Sequence, residues 1–468
     1  MSKRFHPVPT LFSILVLLLG FGLLIIAHLL LPPLAKIPSP ERSLAVIASR
    51  TMELREGREQ APPWERSFYK VYDAIGAAED DIPALISWHE ELSAFSPKDP
   101  VAQIHLAILE AESNSPHLKK RIQEWQEKPE PLPTLGRLIR TAYLESGPAQ
   151  ENFGELRAVV TEILPEGWFR NRLMIRLARK AGDETSSASL EKSLRQRGGQ
   201  LLKRYRVVVL ADLGSLLLMG IGILFLLRYR SKNLRVGTGP IPPPWRGSEG
   251  ITVLIRGAAL GTIAGFLLIF LGESNPFLVI LSYLLCTFPI LFLAWRHLFA
   301  PHQLSVQKGL GLEVLPDGWR WILLIALAGM GIDAAGNWLL NLSESFLHLS
   351  NHWSEGFDAD LVWGSRLTVA VGLLEYIVVA PCLEEILFRG LLFPTLRRRF
   401  GWIPSALLSA AFFSLMHGYG TLGFGVVFWS GVVWAWMYER TGSLIPGIAG
   451  HAVNNLLYAG SLVLMLRT

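Results

Sequence analysis

Nine apolar runs separated by polar stretches set the plan of this 468-residue chain. The first is Leu11 to Leu31. Eight more follow at roughly 207–227, 251–271, 276–295, 319–340, 366–396, 402–418, 422–440 and 443–466. Each reaches or approaches the ~20 helical residues that cross ~30 Å of hydrocarbon. The first run follows Lys3 and Arg4 and exceeds the length of a signal-peptide apolar region. No small-x-small cleavage site comes after it, and Pro32-Pro33 stop it. The pattern predicts an uncleaved anchor over 1–33.

Between the first two runs the pattern changes. Residues 34–205 are charged and show helical periodicity, as in Val101-Ala102-Gln103-Ile104-His105-Leu106-Ala107-Ile108-Leu109. Ser96-Pro97-Lys98-Asp99-Pro100 and Lys128-Pro129-Glu130-Pro131 cut the segment into helical pieces. This predicts a soluble all-helical domain, with no period clean enough for a solenoid. The predicted fold class is therefore an all-α polytopic membrane protein: an anchor (1–33), a soluble helical domain (34–205) and a core of eight transmembrane helices (206–468).

Composition agrees. Half of the residues are hydrophobic, and the mean hydropathy of +0.34 is high for a soluble protein. The net charge of +5 is concentrated beside apolar runs, as in Arg228-Tyr229-Arg230-Ser231-Lys232 and Arg397-Arg398-Arg399. Such clusters read as topology signals and not as a nucleic-acid surface. With the N-terminus cytoplasmic, the loops after the second, fourth and sixth runs hold the basic residues, among them Arg235, Arg296 and Lys308. The 341–365 loop on the opposite side holds Glu344, Glu355, Asp358 and Asp360. This places 34–205 on the exoplasmic side. Lys203, Arg204 and Arg206 break the rule, but a long translocated domain is largely exempt from it. Cys286 and Cys382 are the only cysteines and rule out a disulfide framework or a CxxC metal site.

The chemistry lies near the end of the chain. Glu384-Glu385-Ile386-Leu387-Phe388-Arg389-Gly390, Phe413-x-x-x-His417 and His451-x-x-x-Asn455 all sit in apolar runs. A charge at the centre of a membrane helix costs roughly 2.5–3.5 kcal/mol on insertion scales, so such residues mark function. Glu385 and Arg389 are four apart, acid first, the favourable order for a pair. Glu384 points about 100° away and stays free. Pro381 should kink the span just before it. Counting about 1.5 Å per residue from the cytoplasmic ends puts Glu384, His417 and His451 at depths of about 20, 22 and 12 Å. A glutamate beside a histidine in low dielectric can take a proton from water. A second histidine with an asparagine can donate to a developing oxyanion. Glu384, His417 and His451 are also acceptable zinc ligands, and the residues alone do not separate a metal mechanism from a metal-free one.

The ordered set EExxFRG, FxxxH and HxxxN resembles the CPBP family, the CAAX-prenyl-protease-like intramembrane endopeptidases that include the Ras-converting enzyme and bacteriocin-processing relatives. The resemblance covers about 207–468, with its diagnostic part at 381–455. It implies that Glu384 and His417 activate water, that His451 and Asn455 stabilise the oxyanion, and that Glu385, Arg389 and Phe413 support them. It implies peptide-bond hydrolysis in a membrane-associated protein or peptide, with no cofactor required and zinc as the alternative.

Cys382 suggests a thiol nucleophile, but a lone cysteine in an apolar span is usually packing. Asp333, Asn337, Glu375, Asp212 and Arg256 receive no catalytic role. The rival readings are a membrane scaffold or peptide-toxin immunity protein acting through 34–205 on a protein partner, and a proton-coupled transporter. The architecture points to a bacterial cytoplasmic membrane.

Overall fold

A computed structural model of the chain describes residues 5–75, 81–149, 153–229, 234–269, 276–316, 318–347, 349 and 352–467. Lys3, Arg4, Arg230, Ser231 and Lys232 of the charge argument lie outside them. The described residues are helical apart from loops and one isolated bridge between Gly237 and Val314. Two compact units emerge: Met1–Pro32 with Leu210–Val463, and Pro33–Val209 with Leu464–Thr468.

Helix α1 (Pro7–Leu30) belongs to the first unit. The second unit contains α2 (Pro40–Glu59), α3 (Pro63–Ile75), α4 (Asp81–Phe95), α5 (Pro100–Glu112), α6 (His117–Trp125), α7 (Leu132–Ile139), α8 (Phe153–Ile163) and α9 (Trp168–Lys180). Helix boundaries follow local chemistry. Asp99 caps α5 by accepting from the Val101 N–H at 3.0 Å, and Pro100 occupies the first turn, where its missing donor costs nothing. Leu106, Ile108, Leu109, Trp168 and Phe169 fill the core. Each such side chain contributes roughly 1.5–3 kcal/mol on leaving water. Buried acids here are paired: Glu110 accepts two bonds from Arg121, at 2.9 and 2.8 Å.

Helix α10 (Glu184–Arg228) runs for 45 residues. The expected boundary at 205/206 falls inside it, because no proline or loop-forming sequence interrupts Leu201 to Val209. The rest of the first unit comprises α11 (Gly247–Ile269), α12 (Pro276–Ala294), α13 (Val306–Leu310), α14 (Trp319–Leu347), α15 (Ala359–Trp363), α16 (Arg366–Leu374), α17 (Ala380–Glu385), α18 (Phe393–Arg397), α19 (Trp402–Leu415), α20 (Thr421–Thr441) and α21 (Ile445–Leu466). Helices α16 to α18 form one 32-residue span, Arg366–Arg397.

Among the described residues, eight helical segments are long and apolar enough to cross a membrane, so this is an all-α, multi-pass integral membrane protein. The expected span at 402–418 is shorter than read: α19 has 14 residues, about 21 Å of helix. The helix stops at Leu415 with Met416 as its cap, and Gly418, with φ of +66°, lies in the turn that follows. Leucines along α1 and α10 are exposed, as suits a surface whose solvent is lipid. The small-residue face of α11, Gly257-x-x-x-Gly261-x-x-x-Gly265, packs closely against α12. A Cβ on Gly261 would lie 2.2 Å from the Cys286 carbonyl oxygen, and one on Gly257 2.6 Å from the Ile290 Cα. Arg256 donates to Thr10 of α1 at 3.0 Å, which accounts for its place in a span.

Candidate active site

The span that carries the glutamates is not a regular α-helix. A π-turn at Glu375–Val379 precedes α17, and a second, Ile386–Leu392, follows it. In the first, the Ala380 N–H bonds to the Glu375 carbonyl, five residues back. The next bond of that register would run from residue 381 to the Tyr376 carbonyl. Residue 381 is proline and has no N–H. Asn455 on α21 fills the gap, its Nδ2 donating to Tyr376 O at 2.8 Å. Pro381 thus opens the helix, and Asn455 ties the opening to a neighbouring helix.

Past that opening the acids divide as their spacing predicts. Glu385 and Arg389 are both 0% exposed, and the Arg389 Nη1 lies 3.0 Å from Glu385 Oε1. The pair meets in charge but not in hydrogen-bond direction. All three guanidinium nitrogens and Glu385 Oε2 lack a hydrogen-bond partner. Arg389 instead lies over the Phe413 ring, 4.2 Å from its centroid. Two glycines admit the pair. A Cβ on Gly447 would sit 3.2 Å from Glu385 Oε2, and one on Gly431 3.0 Å from Arg389 Nη2.

His451 lies between the two glutamates. Its Nδ1 is 3.2 Å from Glu385 Oε1 and its Nε2 is 3.7 Å from Glu384 Oε2. Glu385 therefore also orients His451, a role the spacing rules do not reveal. An ionised Glu385 accepts from Nδ1–H and leaves Nε2 facing Glu384. The Glu384 side chain is 20% exposed, against 1% for Glu385. The 8 Å difference in counted depth between Glu384 and His451 is absent. Helix tilt and the reach of the two side chains absorb it.

His417 sits two residues beyond α19. Its Nδ1 donates to the Phe413 carbonyl at 2.8 Å, which leaves Nε2 available as an acceptor. Phe413 touches both histidines edge-on, with ring centroids 4.7 Å from His417 and 5.9 Å from His451. It is the shared wall of the site. His417 is close enough to Glu384 to act on it electrostatically.

Several contributors were not legible as such. Asp333 is 2% exposed and accepts from Ser430 at 2.6 Å, Asn454 at 2.7 Å and Asn337 at 3.3 Å. It joins α14, α20 and α21 behind His451. The Asp333/Asn337 spacing and the second asparagine of the Asn454-Asn455 pair were the available signals. Glu375 and Tyr283 lie close enough to interact electrostatically. Glu355 accepts from the Gly420 N–H at 2.9 Å, fixing the turn that carries His417. Asp358 accepts from the Tyr376 hydroxyl at 3.1 Å. Cys382 is a half-buried free thiol, and Asp212 is partnered. Among the described residues, no three His, Cys, Asp or Glu side chains converge as a metal site.

One comparison with known proteins finds a match in this part of the chain. Residues 365–457 match the family described as type II CAAX prenyl endopeptidase Rce1-like. The matched stretch begins at the cap of α16, ends in α21 and contains every motif residue. This segment is thus a CAAX-type membrane protease domain, within the CPBP class the motifs resemble. No curated protein and no solved structure gives a significant match to the chain.

Proposed function

We propose that this protein is an intramembrane endopeptidase that hydrolyses a peptide bond of a membrane-associated protein or peptide with water activated by Glu384. The observation that carries the reading is His451, held by Glu385 and facing Glu384 beside a buried Arg389, inside the family-matched segment. In this reading Glu384 removes a proton from a water molecule, assisted by His417 through its free Nε2. The oxygen of that water bonds to the substrate carbonyl carbon. In its imidazolium form His451, oriented by Glu385 through Nδ1–H, donates its Nε2–H toward the developing oxyanion. Collapse of the tetrahedral intermediate breaks the C–N bond, and the proton held by Glu384 passes to the leaving amine. Asn455 contributes through the Tyr376 carbonyl, where its amide is engaged, by holding the opening at Pro381. No step is routed through a metal.

The test is substrate trapping in the native membrane. Glu384→Gln keeps the size of the side chain and removes the base. Mass spectrometry of proteins retained by this form, compared with wild type, is expected to yield a membrane-associated substrate that wild type cleaves and the variant does not. Full cleavage by Glu384→Gln overturns the reading. Proton-coupled flux in proteoliposomes without cleavage supports a transporter instead. Retained activity after chelation supports the metal-free route, whereas loss restored by zinc alone reverses it.

A further inference from the structure

The second unit carries an apolar face that its own fold leaves open. On α3, Trp64, Phe68, Val71 and Ile75 are exposed, Trp64 at 71% and Val71 and Ile75 at 58%. Their spacings of four, three and four place them within about 60° of one another around the helix. The opposite face of α3 is buried: Glu65 and Tyr69 are 5% and 4% exposed.

What that buried face touches locates the helix. Glu65 accepts two bonds from Arg206 of α10, at 2.7 and 2.9 Å. Tyr69 packs on Tyr205, with ring centroids 5.4 Å apart. Ala61, Tyr69, Leu202 and Val209 form one apolar cluster. Arg206 is the residue immediately before the run Val207-Val208-Val209-Leu210-Ala211, where α10 becomes apolar enough to enter hydrocarbon. The Trp64 end of α3 is therefore fixed within about one helical turn of the start of a membrane span. The pairing also accounts for Arg206, the basic residue that breaks the charge rule: a buried carboxylate neutralises it.

We propose that α3 is an interfacial helix, its Trp64, Phe68, Val71 and Ile75 face seated in the headgroup–acyl boundary of the bilayer that α10 enters. The occupant of the face is lipid. Continuity with the span places the stripe at the membrane surface. A tryptophan leads it, as in the aromatic belts of membrane proteins, and the phenylalanine after it suits the apolar face of an interfacial helix. Exposed Arg66 and Lys70 lie off the stripe, where they reach headgroups and water. The geometry holds the helical unit down at two points, through α10 and through α3. It does not depend on which reaction the first unit performs.

The test uses the full chain in nanodiscs. Nitroxide labels are introduced by Trp64→Cys, Phe68→Cys, Val71→Cys and Ile75→Cys, with Arg66→Cys and Lys70→Cys as controls, in a Cys286→Ser/Cys382→Ser background. The ratio of oxygen to aqueous nickel accessibility is expected to be about threefold or more higher at the four stripe positions than at the controls. Ratios equal to the controls overturn the proposal, as does occlusion from both reagents, which indicates a protein on the face. Because the cysteine-free background could fail to fold, p-benzoylphenylalanine in place of Phe68 in the native chain gives an independent reading. A lipid adduct on irradiation is expected, and a cross-link to a second chain, or no adduct, overturns it.

Discussion

Buried histidines separate the two units. In the helical unit, His89 and His105 are buried with their ring centroids 6.0 Å apart, and His105 stacks on Phe169 at 3.9 Å. His89 donates a hydrogen bond from Nδ1 to the Leu85 carbonyl at 2.8 Å, and its other nitrogen has no hydrogen-bond partner. No carboxylate forms an ion pair with either among the described residues. In the membrane unit, His451 is equally buried but stands between two carboxylates, one of them ion-paired to a buried arginine. The first arrangement keeps a histidine neutral and packed, and charge there only destabilises it. The second can hold, orient and pass a proton. One buried acid–arginine pair from each unit differs in the same sense. Glu110 has a bidentate arginine partner, whereas the Glu385–Arg389 pair has unsatisfied atoms on both sides. Fully bonded pairs serve the fold, and a low-dielectric pair with spare capacity is suited to chemistry.

The largest expected effect is on that chemistry. Glu384→Gln should lower cleavage by about 10²–10⁴-fold, the range typical of a lost general base. It should leave the melting temperature in detergent nearly unchanged, since Glu384 is the more open of the two acids. A variant that melts early and still cleaves would reverse the division between the glutamates.

Next is the buried pair. Arg389→Met leaves Glu385 uncompensated and should destabilise the membrane unit by about 3–5 kcal/mol. Replacing both, as Glu385→Leu with Arg389→Met, should recover most of that stability and none of the activity. If the double variant is as unstable as the single one, packing rather than charge holds the pair.

The histidine contrast predicts a pH response confined to the helical unit. Burial pushes His89 down to about 4 and His105 well below its ordinary value. A histidine whose folded pKa is depressed takes its proton more readily in the unfolded chain. Stability is therefore full above about pH 6.5 and falls as pH drops from there through the depressed values, by a few kcal/mol at about pH 4. Hydrogen exchange of α4 and α5 at pH 7 and pH 5 reads it directly. In a His89→Leu/His105→Leu form the difference should disappear, and its persistence would mean that carboxylates carry the response.

The smallest effect concerns the opening at Pro381. Asn455→Leu leaves the Tyr376 carbonyl without its donor and should cost about 1–3 kcal/mol. Pro381→Ala restores a backbone N–H at that place, so the same substitution in a Pro381→Ala background should cost clearly less. A double-mutant cycle on thermal unfolding measures the coupling. Additive effects would show that Asn455 does not act through Tyr376, and would return it to the oxyanion.

Apolar runs of about 20 residues determined the membrane class and the approximate place of each long helix. Backbone groups in hydrocarbon must be bonded internally, so length and apolarity suffice to define a span. Helical spacing likewise determined that Glu385 would pair with Arg389 and that Glu384 would stand apart, because residues four apart share a face whatever surrounds them. The run 402–418 is apolar enough for a span, but α19 stops at Leu415 and the chain turns through Met416–Gly418. Only tertiary structure could place His451 between the two glutamates, give Asn455 the carbonyl freed by Pro381 and gather Asp333 with Asn454 and Ser430. Those contacts join residues 66 to 121 positions apart. They depend on which faces of which helices meet, and no local periodicity encodes that.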